Sequence, residues 1–450
     1  MKRTILALAF SICAIAHAVE VSNVSAKQRW PWNNLVDVDF TVASDVPGEV
    51  YMVALDATCA GGAKTFSATT FASDPIVSSG TNRVTWDFGA DFPNVRADDM
   101  QITVSLVPFS DTSVTPIYMK IDLSGGPNAT RYPVSYSFTG PAHVKGATGE
   151  PCQTTELWLR RIRHPANVLV YHNWQYSGED AYYGRQTYDY YIGVFETTQR
   201  QYELVMGRNP SYFTNKTCYA SRPVEDFIAR IHLFGTGVDN GEGSNMNIQK
   251  TPENLNANSF FGRKRARTGL PFVLPSSMQV EWAARGGAYG GEYSVYKVGG
   301  VELPLSAVAR YTGNSGFVSG VTPARDADLT TGTAAVGSYD PNEFGLYDML
   351  GNVYELTCEY VKSAGTVERE MRSDLVALRT AAGDNTIGKS AANPVVDWCG
   401  QDTAGNCYRI MCGAFNSSAP SLWLFTAQES ATWNENAMYK TGFRISMNVR

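Results

Sequence analysis

The stretch GSYDPNEFGLYDMLGNVYEL, Gly337 to Leu356, decides how the chain is read. It opens with turn formers, Asp340-Pro341-Asn342, and runs into the apolar residues Leu346, Met349 and Leu350. A Gly351-Asn352 break follows, because glycine and asparagine tolerate backbone conformations that other residues avoid. A strand then begins at Val353 and carries the acidic Glu355. A short apolar run between turn signals, with carboxylates at both ends, suits a core built mainly from ordered loops.

Upstream of this stretch, Leu157 to Ile162 and Tyr190 to Thr198 read as strands. Thr198 with Gln201 forms a capping box, and Tyr202, Val205 and Met206 share one helical face until Gly207 ends the helix. A second helix is expected after Arg222-Pro223, since Val224, Phe227, Ile228 and Ile231 follow the i, i+3, i+4, i+7 spacing. A third is expected after Leu274-Pro275, with Ser276 and Gln279 as its capping box and Gly286-Gly287 as its stop. Between the last two, the basic run Arg263-Lys264-Arg265-Ala266-Arg267 reads as a solvated loop.

In this order the pieces resemble the formylglycine-generating enzyme, or sulfatase-modifying factor, family. The matching segments are YYIGVFETTQRQYELVMGRNPSYF (190 to 213), RPVEDF (222 to 227), TGLPFVLPSSMQVEWAARGG (268 to 287), Gly337 to Leu356, and TGFRIS (441 to 446). Five separated motifs in the family's order are a specific signal. The resemblance implies an α+β fold, a C-type-lectin-like variant with short sheets and much ordered loop. It also implies a calcium site, with the carboxylates of Asp348 and Glu355 and the backbone carbonyls of Gly351 and Val353 as ligands. Calcium takes such mixed oxygen sets. The alternative for these side chains is structural: Asp348 capping a turn and Glu355 pairing with an arginine.

The chemistry implied by the family does not carry over. Its oxidases hold copper on two cysteines of a GGSxxCxxxxC segment, and soft thiolates suit copper(I). Here the segment is CGAFNSSAPSL, Cys412 to Leu422, so Ala414 stands at the serine position and Ser417 and Leu422 at the two cysteine positions. This argues against copper. Cys407 and Cys412 keep the spacing, but on a strand residues five apart face opposite sides. A related branch of the family implies a three-histidine iron site. The histidines beyond the leader, His143, His164, His172 and His232, show no ligand-pair spacing.

Residues 1–18 read as a signal peptide: Lys2-Arg3, an apolar run Ile5 to Ile15, and Ala16-His17-Ala18 as cleavage site. The expected address is periplasmic, cell-surface or extracellular. Removing the leader takes the formal charge from −6 to −8, which argues against nucleic acid as a partner. No later run is long enough for a transmembrane helix. Seven cysteines remain, an odd number, and Cys399 with Cys407 is the local pair expected to bridge. From residue 19 to about 150, alternating runs such as Val36 to Val42, Met100 to Leu106 and Ile117 to Leu123 predict an all-β, immunoglobulin-like sandwich. The family-like domain is expected over 154–450.

These readings favour an exported, non-catalytic protein that binds a protein or glycan ligand. The segment Asn416 to Lys440 would line the pocket, through Asn416, Ser417, Ser418, Trp423, Gln428, Trp433 and Asn434, with Tyr439 near its end. Aromatic anchors beside small polar groups are a recognition chemistry. This end also resembles the ligand-binding segment of variable proteins diversified by retroelements. The alternative is an oxidoreductase of the family acting on a protein or small thiol by a changed mechanism.

Overall fold

The structure is a computed structural model of the 450-residue chain. It describes residues 19–29, 34–46, 49–97, 99–109, 111, 115–172, 181–227, 233–235, 255–287, 297–298, 301–361, 373–397, 407–416 and 439–449. The expected leader, 1–18, lies outside them, as do Ser417, Ser418, Trp423, Gln428, Trp433 and Asn434. Among the described residues no helix is long and apolar enough to cross a membrane.

The chain divides into two compact units, one of residues 1–68 and 74–115 and one of 69–73 and 116–450. The first is all β. Val19–Gln28, Leu35–Ser44 and Gly80–Asp87 form an antiparallel sheet. Val50–Cys59 is the centre of another, pairing with Lys64–Ser67, Ile76–Ser78 and Gln101–Pro108. Alternation places Val38, Phe40, Val84 and Trp86 of the first sheet and Tyr51, Val53 and Leu55 of the second in the core. Asp37 is also buried there. The Arg29 guanidinium binds both its oxygens, and Thr85 donates to it at 2.7 Å.

The second unit carries an antiparallel sheet in the order Thr70–Phe71, Val134–Ser137, Tyr118–Asp122, Glu156–Ile162, Tyr190–Gly193 and Ser446–Asn448. The run Ile117 to Leu123, grouped above with the N-terminal sandwich, thus pairs with Glu156–Ile162. A smaller sheet sets Tyr354–Val361 between Cys407–Met411, antiparallel, and Thr441–Phe443, parallel.

Two of the expected helices are present with their capping boxes intact: Gln199–Met206 behind Thr198 and Ser277–Ala284 behind Ser276. Gly207 closes the first in the left-handed conformation. The helix expected from Pro223 does not begin there. Val224 donates its N–H to the Thr197 carbonyl, Glu225 turns inward to accept from the N–H groups of Tyr212 and Phe213, and Asp226 has a φ of 60°. Backbone groups a helix would have used are spent on neighbouring chain. The basic run is instead helical. Phe260–Thr268 starts at the Ser259 cap and ends at Gly269, with Lys264 fully buried. Phe260 and Phe261 anchor it, so a charge pattern that reads as solvated lies against a core.

Candidate functional site

The loop Gly337 to Val353 is held by its own polar side chains. Asn342 accepts from the N–H groups of Phe344 and Leu346 and donates to the Ala283 carbonyl at 2.7 Å. Asp348, Gly351 and Asn352 all have positive φ, which explains why this segment uses those residue types. Leu346, Met349, Leu350 and Val353 are buried beneath it. At Gly351 a Cβ would come within 2.0 Å of the Arg310 carbonyl oxygen. Gly351→Ala is therefore expected to destabilise this unit by about 2 kcal/mol, from strain plus overlap. Thermal or urea unfolding checks it, and an unchanged midpoint would show that the loop has room to shift.

Under the loop lies a fully buried charge cluster. Glu355 receives three hydrogen bonds from Arg444: Nε to Oε1 at 3.2 Å and to Oε2 at 3.1 Å, and Nη2 to Oε1 at 2.8 Å. Arg444 also donates to the carbonyls of Gly193 and Tyr347. Burial works against its charge, but Glu355 more than offsets this and holds Arg444 above its ordinary value. Glu196 accepts from Asn352 Nδ2 at 2.6 Å and from the Val353 N–H at 3.2 Å. Burial, and then the Asp348 carboxylate, push Glu196 well up. Asp348 Oδ2 accepts from the Gly337 N–H at 2.6 Å, while its Oδ1 is buried without a hydrogen-bond partner among the described residues. Burial raises Asp348 to about 6. Three buried carboxylates thus face one guanidinium.

The four residues expected to hold calcium are adjacent to this cluster, in unequal states. Glu355 has both oxygens in the Arg444 fork, as in the structural alternative. Asp348 Oδ1 is the oxygen left over, and it is the feature of the set that fits a cation. Gly351 and Val353 use their N–H groups toward Cys412 and Glu196.

Cys412 belongs to the apolar core beside Met349 and Leu350 and has no exposed surface. Burial, and then Glu355, push its thiol well up, so it is not an exposed nucleophile. Cys358 is disulfide-bonded. Cys59, Cys152 and Cys218 are buried free thiols.

Of the expected ligand-lining segment, its two ends are described, at Asn416 and Tyr439. The Tyr439 ring packs on Tyr212 at 5.1 Å, and on Phe213 and Phe415 at 6.1 Å each. Arg222 lies over Phe213 and Arg325 over Tyr212, at 4.9 and 5.0 Å. The segment therefore springs from an aromatic cluster carrying two cations.

A further group was missed in the sequence, where histidines were weighed only against other histidines. His143, Glu150 and Cys152 place one nitrogen, one oxygen and the sulfur within 4.8 Å of one another. Their spacing, H-x6-E-x-C, is legible. His164, by contrast, is engaged by Asp189, which accepts at 2.8 Å and is itself paired with Arg161.

A family model described as "Sulfatase-modifying factor enzyme 1-like domain" matches residues 179–449. The chain is 30% identical over 203 residues to the chaperone protein LppX of Paenibacillus barcinonensis, spanning 41% of this chain and 67% of that protein. Among solved structures, it is similar to Treponema denticola variable protein 1, at 21% identity and a TM-score of 0.41, covering 68% of this chain and 99% of that one. It is also similar to PvdO from Pseudomonas aeruginosa, at 15% identity and a TM-score of 0.41, covering 68% and 100%. The motifs from Tyr190 to Ser446 and the match over 179–449 agree: the chain belongs to the sulfatase-modifying-factor, or formylglycine-generating-enzyme-like, family.

Proposed function

We propose that this chain is an exported, non-catalytic ligand-binding protein built on the family's scaffold. One observation carries the reading. The segment that holds copper in the oxidases here has Ser417 and Leu422 at the two thiol positions, and its remaining cysteine, Cys412, is sealed in the apolar core. A hydroxyl and an isobutyl group are not copper(I) ligands. The aromatic cluster of Tyr212, Phe213, Phe415 and Tyr439 supports recognition by the segment it anchors, since rigid aromatics bind at low entropic cost. The ligand class is a protein or glycan. The disulfide at Cys358 supports an oxidising compartment, and the chaperone name of the Paenibacillus relative accords with a binding role. Calcium is proposed at the free Asp348 oxygen, beside Gly351, Val353 and the Arg444-held Glu355.

The test is metal analysis of the purified exported form, with oxygen uptake measured on a cysteine-containing peptide. The expected result is no stoichiometric copper or iron, no uptake, and a calcium-dependent rise in Tm that Asp348→Asn removes. Stoichiometric copper or iron together with thiol-dependent oxygen uptake would establish the oxidoreductase alternative. A Tm indifferent to calcium would remove calcium from the reading and leave the binding role standing.

A further inference from the structure

Gly337 faces both ways. Its N–H donates to Asp348 Oδ2, and its carbonyl sits 2.9 Å from His143 Nε2. A carbonyl oxygen only accepts, so Nε2 carries the hydrogen and the lone pair of the neutral ring belongs to Nδ1. Nδ1 in turn faces Glu150 Oε2 at 2.5 Å. A lone pair and a carboxylate do not sit at that distance unless a proton lies between them, a proton that a metal ion would replace. Cys152 Sγ is 3.8 Å from the same Glu150 oxygen and 3.8 Å from the Ala142 carbonyl.

The surroundings fix the three donors. The imidazole packs edge-on against the stacked pair of Phe195 and Tyr347, each at 5.1 Å. At Gly337 a Cβ would overlap Nε2, so the ring's seat requires glycine. Glu150 is held by the Val144 N–H on its other oxygen, at 3.1 Å. Cys152 packs with Val194, Phe195 and Val336. The His143 side chain is 1% exposed and that of Glu150 is 20% exposed, so the group has a single wet side, at the carboxylate.

We infer that His143, Glu150 and Cys152 form a zinc site. Tetrahedral zinc, with donors at 2.0–2.3 Å, holds its ligand atoms about 3.3–3.7 Å apart. The sulfur–oxygen distance is already close to this. The histidine–glutamate pair reaches it if the partly exposed carboxylate withdraws by about 1 Å. One thiolate, one carboxylate and a neutral imidazole cancel the charge of a divalent ion, which suits a buried place. A mixed nitrogen, oxygen and sulfur set matches zinc better than calcium, which takes oxygen, or copper(I), which favours sulfur. The Gly337 carbonyl is the outer partner that metal-bound histidines characteristically keep. The fourth position, on the Glu150 side, falls to water. The ion would tie the loop from Ala142 to Cys152 to the loop that begins at Gly337.

The test uses the full exported chain, freed of loosely bound metal by dialysis, then loaded with zinc or with cobalt(II) as its spectroscopic substitute. Expected are one zinc per chain lost on Cys152→Ser, and a thiolate-to-cobalt charge-transfer band absent from that variant. Both should persist in Cys59→Ser, which alters a buried thiol of the other unit. Glu150→Gln, at the wet edge, keeps the experiment informative if Cys152→Ser does not fold. It should weaken zinc binding at least about tenfold. A wild-type chain that takes up no zinc, or a Cys152→Ser or Glu150→Gln chain that binds it as tightly as the wild type, would overturn the assignment. Copper, iron and oxygen uptake are separate readouts, so this site and the non-catalytic reading can fail independently.

Discussion

Arg444→Met is expected to lower the stability of the second unit by about 3–5 kcal/mol, the usual consequence of stripping the partner from a buried charge. The loss is large because Arg444 serves more than Glu355. Its removal leaves two carbonyls, at Gly193 and Tyr347, without their donors. It also leaves the Glu196 and Asp348 carboxylates without the guanidinium that moderates them. Glu355→Gln is expected to cost less, since the amide keeps an acceptor for Arg444 and lowers the excess of negative charge. The double variant should recover part of the loss, because no uncompensated carboxylate then remains at position 355. Urea unfolding, read on the transition of this unit, measures all three. An Arg444→Met chain within about 1 kcal/mol of wild type would mean that protonation or a bound cation already neutralises the cluster.

The second large effect runs in the opposite direction. Lys264→Met is expected to stabilise the same unit by about 1–4 kcal/mol near neutral pH. Lys264 is fully buried, and its ammonium has no hydrogen-bond partner among the described residues; the Phe272 ring, 5.0 Å away, is its one favourable contact. Burial lowers it from 10.5 to about 7. Between these two values the unfolded chain binds the proton and the folded chain does not, so stability rises with pH across the window. Below about 7 both states are charged and the full desolvation penalty is present. The gain from Lys264→Met should therefore be largest at and below neutral pH and should vanish by about pH 10. Methionine has nearly the same shape, so packing is conserved. A gain that does not change between about pH 7 and pH 10 would assign the effect to packing instead of charge.

The two sites show what kind of information each level holds. Capping boxes at Thr198–Gln201 and Ser276–Gln279 were legible because their partners lie three residues apart. The strands were legible because alternation is local. Leu346, Met349, Leu350 and Asn352 announced a buried loop for the same reason. The run Arg263 to Arg267 misled, since charge alone predicts water and nothing nearby in the chain reveals the core that meets Lys264. Pro223 misled likewise: helical spacing was present, but Thr197, Tyr212 and Phe213 took the hydrogen bonds. The pairing of Glu355 with an arginine was open in the sequence, and its partner is 89 residues away.

The order of five motifs and the loss of sulfur at Ser417 and Leu422 are properties of the chain itself; the motifs point to the family that the match over 179–449 shows, and the lost sulfurs are the ground of the proposed non-catalytic reading. Which charges are buried, which carboxylate oxygen is left over at Asp348, and that Gly337 brings His143 together with Glu150 and Cys152 were decided only on folding. Desolvation and long-range hydrogen bonding depend on what lies across the core, and no local spacing encodes that.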